Sequence, residues 1–106
     1  MRRTSDFASV VRTGARGRSG PLVLHQRLDL GQQAPLVGFV VGRSVGGSVQ
    51  RHLIARRLRA QMAARLDRLP TGSGTVVRVL PEGAGASSAA LGAELDRALV
   101  RLAGRR

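Results

Sequence analysis

The sequence has no cysteine, no tyrosine, no tryptophan and no lysine; all 18 of its basic side chains are arginine. Without cysteine there is no disulfide and no thiolate metal site. Only two aromatic residues, Phe7 and Phe39, are present. Proteins that hold single strands by stacking bases present several aromatic platforms. Recognition by backbone and shape is therefore expected to dominate here. Acids are scarce as well, six in all: Asp6, Asp29, Asp67, Glu82, Glu94 and Asp96. No two of them stand close together in a context that would hold the metals of a two-metal nuclease. There is no glycine-rich loop with lysine for a nucleotide. His25 and His52 are the only imidazoles. A histidine pair can cleave RNA by acid–base chemistry, but His52 sits inside an arginine run, where contact with RNA is the simpler role. No apolar run approaches a membrane span, and the first residues lack the apolar segment of a secretory signal, so a cytoplasmic location is expected.

What is present is positive charge. The formal net charge is +12 over 106 residues. A chain of this length suits one domain, taken here as residues 1–106 with basic, flexible ends at 1–3 and 104–106. So large an excess on so small a domain points to a polyanion, nucleic acid first and an anionic membrane surface second. Arginine adds a planar fork that matches phosphate and base edges.

Taken in order, residues 5–14 read as a short helix. Thr4 or Ser5 caps it, Gly14 stops it, and Phe7, Val10 and Val11 share one face for packing. Residues 15–21 read as a basic, flexible connection in which Arg16 and Arg18 either meet phosphate or are solvated. Residues 21–28 form a strand, with Val23, His25 and Arg27 on one face and Leu22, Leu24 and Gln26 on the other. Residues 36–42 form a second, more buried strand, and hairpin pairing with the first is the economical arrangement. A long helix is expected over residues 49–69 with Ser48 as N-cap and Ile54, Leu58, Met62 and Leu66 as its core stripe. A third strand follows at residues 75–80. A last helix, capped by Ser87 or Ser88, carries Leu91, Leu95, Leu99 and Leu102 on its packing face.

The stretch SVGGSVQRHLIARRLR at residues 44–59 concentrates the directional chemistry. A Gly-Gly-Ser turn leads into a helix start that carries Arg51, Arg56, Arg57 and Arg59. Free N–H groups, the positive end of the helix dipole and several guanidinium groups together suit phosphate. On a wheel of about 100° per residue, Leu53, Arg56, Arg57 and Ala60 lie away from the core stripe. Arg59 lies on a flank. Arg51 lies near the stripe but at the first turn, where it reaches past the end of the sheet. No acid shares these turns, so the helix start repels itself until an anion neutralises it.

This stretch resembles the signature of the bacterial ribonuclease P protein subunit: a basic strand exit, a Val-Gly-Asn-Ala-Val turn, and an Arg-Asn-Arg-x-x-Lys/Arg-Arg helix start. The pattern DFASVVRTG at residues 6–14 resembles the first helix of that family. LVLH at residues 22–25 resembles its first long strand, and VGFVVGR at residues 37–43 the strand before the signature. The resemblance implies an α/β (α+β) two-layer sandwich like the second domain of ribosomal protein S5. Its small mixed sheet carries an N-terminal helix, a long central helix in a left-handed βαβ crossover, and a C-terminal helix. Such a crossover is rarely left-handed. The implied function is removal of the 5′ leader from precursor tRNA, with the chemistry carried by the ribonuclease P RNA and its bound Mg²⁺, and with no catalytic residue and no metal site in the protein. By this resemblance Arg43, Ser44, Arg51, His52, Arg56, Arg57 and Arg59 face the catalytic RNA. Phe7, Val11 and His25, with Arg12 and Arg16, line a cleft for the leader. The implied partners are the catalytic RNA, one copy per monomeric protein, and precursor tRNA, not DNA or a membrane. His52 stands where the family has Asn, Leu53 where it has a second Arg, and Ala55 where it has another cation. Val11 and His25 thin the aromatic lining of the cleft, shifting weight to phosphate contacts. The competing reading is a ribosomal-type or other small basic RNA-binding protein with no nuclease role.

Overall fold

The computed structural model describes residues 4–104, with side chains from Ser9 onward. The cap assigned to Thr4 or Ser5, the side chain of Phe7 and the end residues 1–3 and 105–106 lie outside the described residues. The elements are α1 (Thr4–Thr13), β1 (Ala15–Ser19), β2 (Leu22–Arg27), β3 (Leu36–Val41), α2 (Ser48–Ala63), β4 (Gly74–Val79) and α3 (Ser88–Ala103).

The four strands form one mixed sheet in the order β1-β2-β4-β3. The β1–β2 and β2–β4 pairs are antiparallel, and β3 runs parallel to β4. The expected hairpin between β2 and β3 does not form, because β4 lies between them. Burial explains the choice. In β4 only Arg78 is exposed, and five of the six residues of β2 are buried, whereas β3 buries only Gly38. The two strands that can be covered on both faces take the centre, and β3 takes an edge. The loop between β2 and β3 then passes the start of β4. There the Leu30 N–H donates to Gly72 O at 2.9 Å, and the Leu36 N–H donates to Ser73 O at 3.0 Å.

β1 falls where a flexible connection was expected. Its sequence, ARGRS, carries no apolar pattern because its inward positions must be small. Gly17 and Ser19 are buried while Arg16 and Arg18 point out. A Cβ on Gly17 would lie 3.1 Å from Ala98 O and 3.2 Å from Leu102 Cγ. The strand is thus defined by how closely α3 lies over it.

The main core lies between one face of the sheet and the pair α2–α3. Leu22, Leu24, Val77 and Val79 meet Ile54, Leu58 and Met62 of α2 and Leu91, Leu95, Leu99 and Leu102 of α3. Ser87 caps α3, its Oγ accepting from the Ala90 N–H at 3.1 Å. The helix expected to run to residue 69 ends at Ala63, and Leu66–Arg68 forms a 3₁₀ turn. Leu66 is therefore 47% exposed, and Leu69 takes a buried seat instead. The segment that follows α2 is also tied to α3 by charge. Asp96 of α3 accepts from Arg65 Nε and Arg68 Nη1, each at 2.7 Å, which holds its carboxyl below the usual range.

The second face of the sheet is crossed by α1, which packs on β2 and β4. Val10 is fully buried there and Val11 is 38% exposed, so only one of these two expected packing residues enters the interior.

Candidate RNA interface

Two groups of arginines face solvent in different parts of the fold. The first surrounds the start of α2. Arg43 and Ser44 lie exposed in a 3₁₀ turn, Arg43–Val45, directly after β3. Gly46 follows with a φ of +155°, a conformation that side chains rarely adopt. This turn redirects the chain into α2. The N-cap is Gly47, not Ser48, and no side chain caps the helix. The first N–H groups of α2 are thus left to an external acceptor or water.

Around this helix start lie two hollows. One, of about 330 Å³, is lined by Phe39, Val41, Ser48, Arg51, His52, Ala55 and Arg59. The other, of about 350 Å³, is lined by Val49, His52, Leu53 and Arg56. His52 borders both. The division anticipated on the helical wheel therefore exists: Arg51 and Arg59 turn toward the edge strand β3, and Arg56 turns the other way. Arg51 Nε is buried without a hydrogen-bond partner. Among the described residues, Arg43, Arg51, Arg56 and Arg59 form no ion pair, and the first turn of α2 holds no acid. Leu53 is half-buried and supplies an apolar wall, so the hollow beside Arg56 has a single guanidinium at its rim. Ala55 is buried against the rim of the other hollow, where a longer cation would have to displace its neighbours.

Arg57 is placed differently from its wheel neighbours. Its Nη1 donates to Ala86 O at 2.6 Å, in the loop before α3. One of its donors thus serves the packing of α2 on α3. The wheel gave its angle correctly, but the loop that folds over that side of α2 is invisible in a helical pattern.

The second group lies on the open face of the sheet. Residues in register across a sheet share a face. One row reads Arg18, Val23, Arg78, Val40, and the next reads Arg16, His25, Val76, Gly38. α1 crosses this face, with Arg12 exposed on it. His25 is 5% exposed, and its Nε2 has no partner. Burial, then Arg16, then Arg78 push its imidazole toward the neutral form. Two further cations on this face are tied down. Arg18 pairs with Glu82 at 3.3 Å. Arg27 binds Asp29 through two hydrogen bonds, at 2.8 and 2.7 Å, and also reaches the Ser9 hydroxyl. Arg16 and Arg78 have no partner among the described residues.

Arg78 was not singled out by sequence reasoning. The alternation in its strand showed that it points away from Val77 and Val79. What the sequence did not show was that β4 pairs with β2, which brings Arg78 beside His25.

The described residues contain no group of three His, Asp or Glu side chains placed to hold a metal ion. None of their helices is long and apolar enough to cross a membrane.

Residues 1–103 match the Ribonuclease P family model. The chain is 48% identical over 103 residues to the ribonuclease P protein component of Acidothermus cellulolyticus, covering 96% of this chain and 86% of that one. It is 45% identical over 112 residues to the corresponding protein of Streptomyces bikiniensis, covering 98% and 91%. The fold superposes on the RNase P protein of Staphylococcus aureus with a TM-score of 0.85 at 15% identity, covering 95% of this chain and 92% of that one. On the Thermotoga maritima protein the TM-score is 0.84 at 21% identity, covering 95% and 97%. With the basic helix start, the mixed sheet and these matches together, the chain belongs to the ribonuclease P protein family, the RNA-binding, non-catalytic components of a ribonucleoprotein endoribonuclease of tRNA 5′ processing.

Proposed function

We propose that the two arginine surfaces divide the work of the holoenzyme. The start of α2, with Arg43, Ser44, Arg51, His52, Arg56 and Arg59, docks on the ribonuclease P RNA. The open sheet face beneath α1, with Arg12, Arg16 and His25 and the half-exposed Val11, takes the single-stranded 5′ leader of precursor tRNA. The observation that supports this division is that both surfaces keep guanidinium groups without an ion pair, although Arg18 and Arg27 on the sheet face, and Arg65, Arg68 and Arg97 elsewhere, are each engaged by an acid. Unpaired arginines at a helix start and across a sheet face suit two separate stretches of phosphate.

In this reading the protein binds and orients, and it supplies no group to the bond being broken. In the same reading Mg²⁺ belongs to the RNA and its substrate. The protein acts as one copy per RNA, and guanidinium groups lower the mutual repulsion of two polyanions brought together at the cleavage site. The test is recovery of the protein from cells with its bound RNA, followed by sequencing. Ribonuclease P RNA should dominate the recovered pool. Ribosomal RNA in its place would favour the reading as a ribosomal-type protein.

A further inference from the structure

The leader surface contains a residue that the family signature does not supply. We propose that Arg78 of β4 and Arg16 of β1 together hold the sugar-phosphate backbone of the leader over His25, so that this face reads phosphate rather than base identity. The inference rests on the reading of the open sheet face as the leader surface and specifies how that surface binds.

Three observations carry it. First, register places Arg78 diagonally from His25, and Arg16 directly opposite it. The two arginines stand on strands separated by β2, a spacing of about 10 Å between backbones. Both positive charges act on the imidazole from the strands that flank its own. Second, the strands offer four arginines on this face, but Glu82 engages Arg18 and Asp29 engages Arg27, leaving Arg16 and Arg78 without an ion pair among the described residues. These two unpaired strand cations are the two that bracket His25, and Arg12 of α1 adds a third above them. Third, His25 is 5% exposed and its Nε2 is an unsatisfied buried polar atom. Such an atom costs stability unless a ligand satisfies it. A phosphate oxygen between the two guanidinium groups would accept from an Nε2–H.

The surrounding surface supports phosphate over base recognition. In these two rows the described neighbours are Val23, Val76 and Gly38, all buried, and the exposed Val40, with no Phe, Tyr or Trp among them. Phosphate contacts are indifferent to base sequence, whereas stacking and edge contacts are not.

The experiment uses the reconstituted holoenzyme and measures affinity for a precursor tRNA and for the matching mature tRNA across a salt series. Wild-type protein should favour the leader-bearing substrate. Arg78→Ala should weaken binding of that substrate several-fold and lower its salt slope by roughly 0.7, the loss of one single-strand phosphate contact. Mature tRNA should bind the variant and wild type alike. Arg78→Lys should restore most of the slope, because a phosphate contact needs charge more than a planar fork. Arg97→Ala, a change at an exposed α3 residue paired with Glu94, should alter neither affinity. Replacing the leader by one with abasic positions over this face should leave the Arg78 effect intact. A wild-type slope and affinity in Arg78→Ala would overturn the proposal while leaving the leader surface standing. Loss of the Arg78 effect on the abasic leader would overturn the phosphate assignment. Equal wild-type affinity for precursor and mature tRNA would overturn the leader reading itself.

Discussion

Arg56 and Arg57 are neighbours in sequence, share one side of the helical wheel, and meet different surroundings. Arg56 is exposed at the rim of a hollow with no partner among the described residues, whereas Arg57 donates to Ala86 O at 2.6 Å. Arg56→Ala should lower the salt slope of binding to the catalytic RNA by roughly one unit, with little change in thermal stability. Arg57→Ala should do the reverse in proportion: it leaves a carbonyl without its donor and costs about 1 kcal/mol of stability. Paired salt titrations and melting curves separate the two. Equal slopes for both variants would remove the distinction. His25 gives a further residue-scale expectation. Burial, Arg16 and Arg78 lower its folded pKa below the ordinary 6.5. The unfolded chain therefore takes up the proton first as pH falls. Stability is full above pH 6.5 and declines as pH falls from 6.5 toward the lower folded pKa. Urea midpoints measured from pH 8 to pH 5 should show this decline, and His25→Gln should flatten it. A midpoint that rises over the same interval would contradict the burial of a neutral imidazole.

At the level of elements, the close seat of α3 on β1 is the most exacting contact. Gly17→Val would press branched carbons against Ala98 O and Leu102 Cγ, where even a single Cβ would lie within 3.2 Å. The variant should lose about 1–3 kcal/mol, read from its denaturation midpoint. A neutral result would mean that α3 shifts freely over the strand. This contact also explains where the sequence was silent. Apolar patterning revealed β2, β3, β4, α2 and α3, because each turns large apolar side chains toward the core at regular spacing, those of β3 only partly buried. β1 buries Gly17 and Ser19, which leave no hydrophobic trace, and its arginines point to solvent, so it read as a connection. The strand order was hidden for a related reason. Apolar content identifies strands, but the competition for central seats is settled by how much of each face is covered, which depends on α1, α2 and α3 together. Leu66 kept the helical period and still became exposed, since the helix ended at Ala63 before reaching it.

For the molecule as a whole, the distribution of charge matters more than its sum. Net charge of +12 opposes compaction, yet most of the described acids lie where they pair arginines of the scaffold. Among the described residues, most of the guanidinium groups without an ion pair gather on two separate surfaces. The helix-start surface was legible in the sequence, because Arg51, Arg56 and Arg59 fall within nine consecutive residues. The sheet surface was legible only in part. Its members come from α1, β1, β2 and β4, and only pairing across the sheet unites Arg16, His25 and Arg78. The same distribution predicts that the isolated protein gains stability from polyanions, since any ligand bound only by the folded state shifts the equilibrium.

The most direct test is reconstitution with ribonuclease P RNA, measuring release of the 5′ leader from precursor tRNA at limiting Mg²⁺ with and without the protein. Marked enhancement by the protein, with no cleavage by protein alone, is the predicted result. No enhancement, or cleavage of precursor tRNA by the RNA-free protein, would contradict an account in which this chain binds and orients while RNA performs the chemistry.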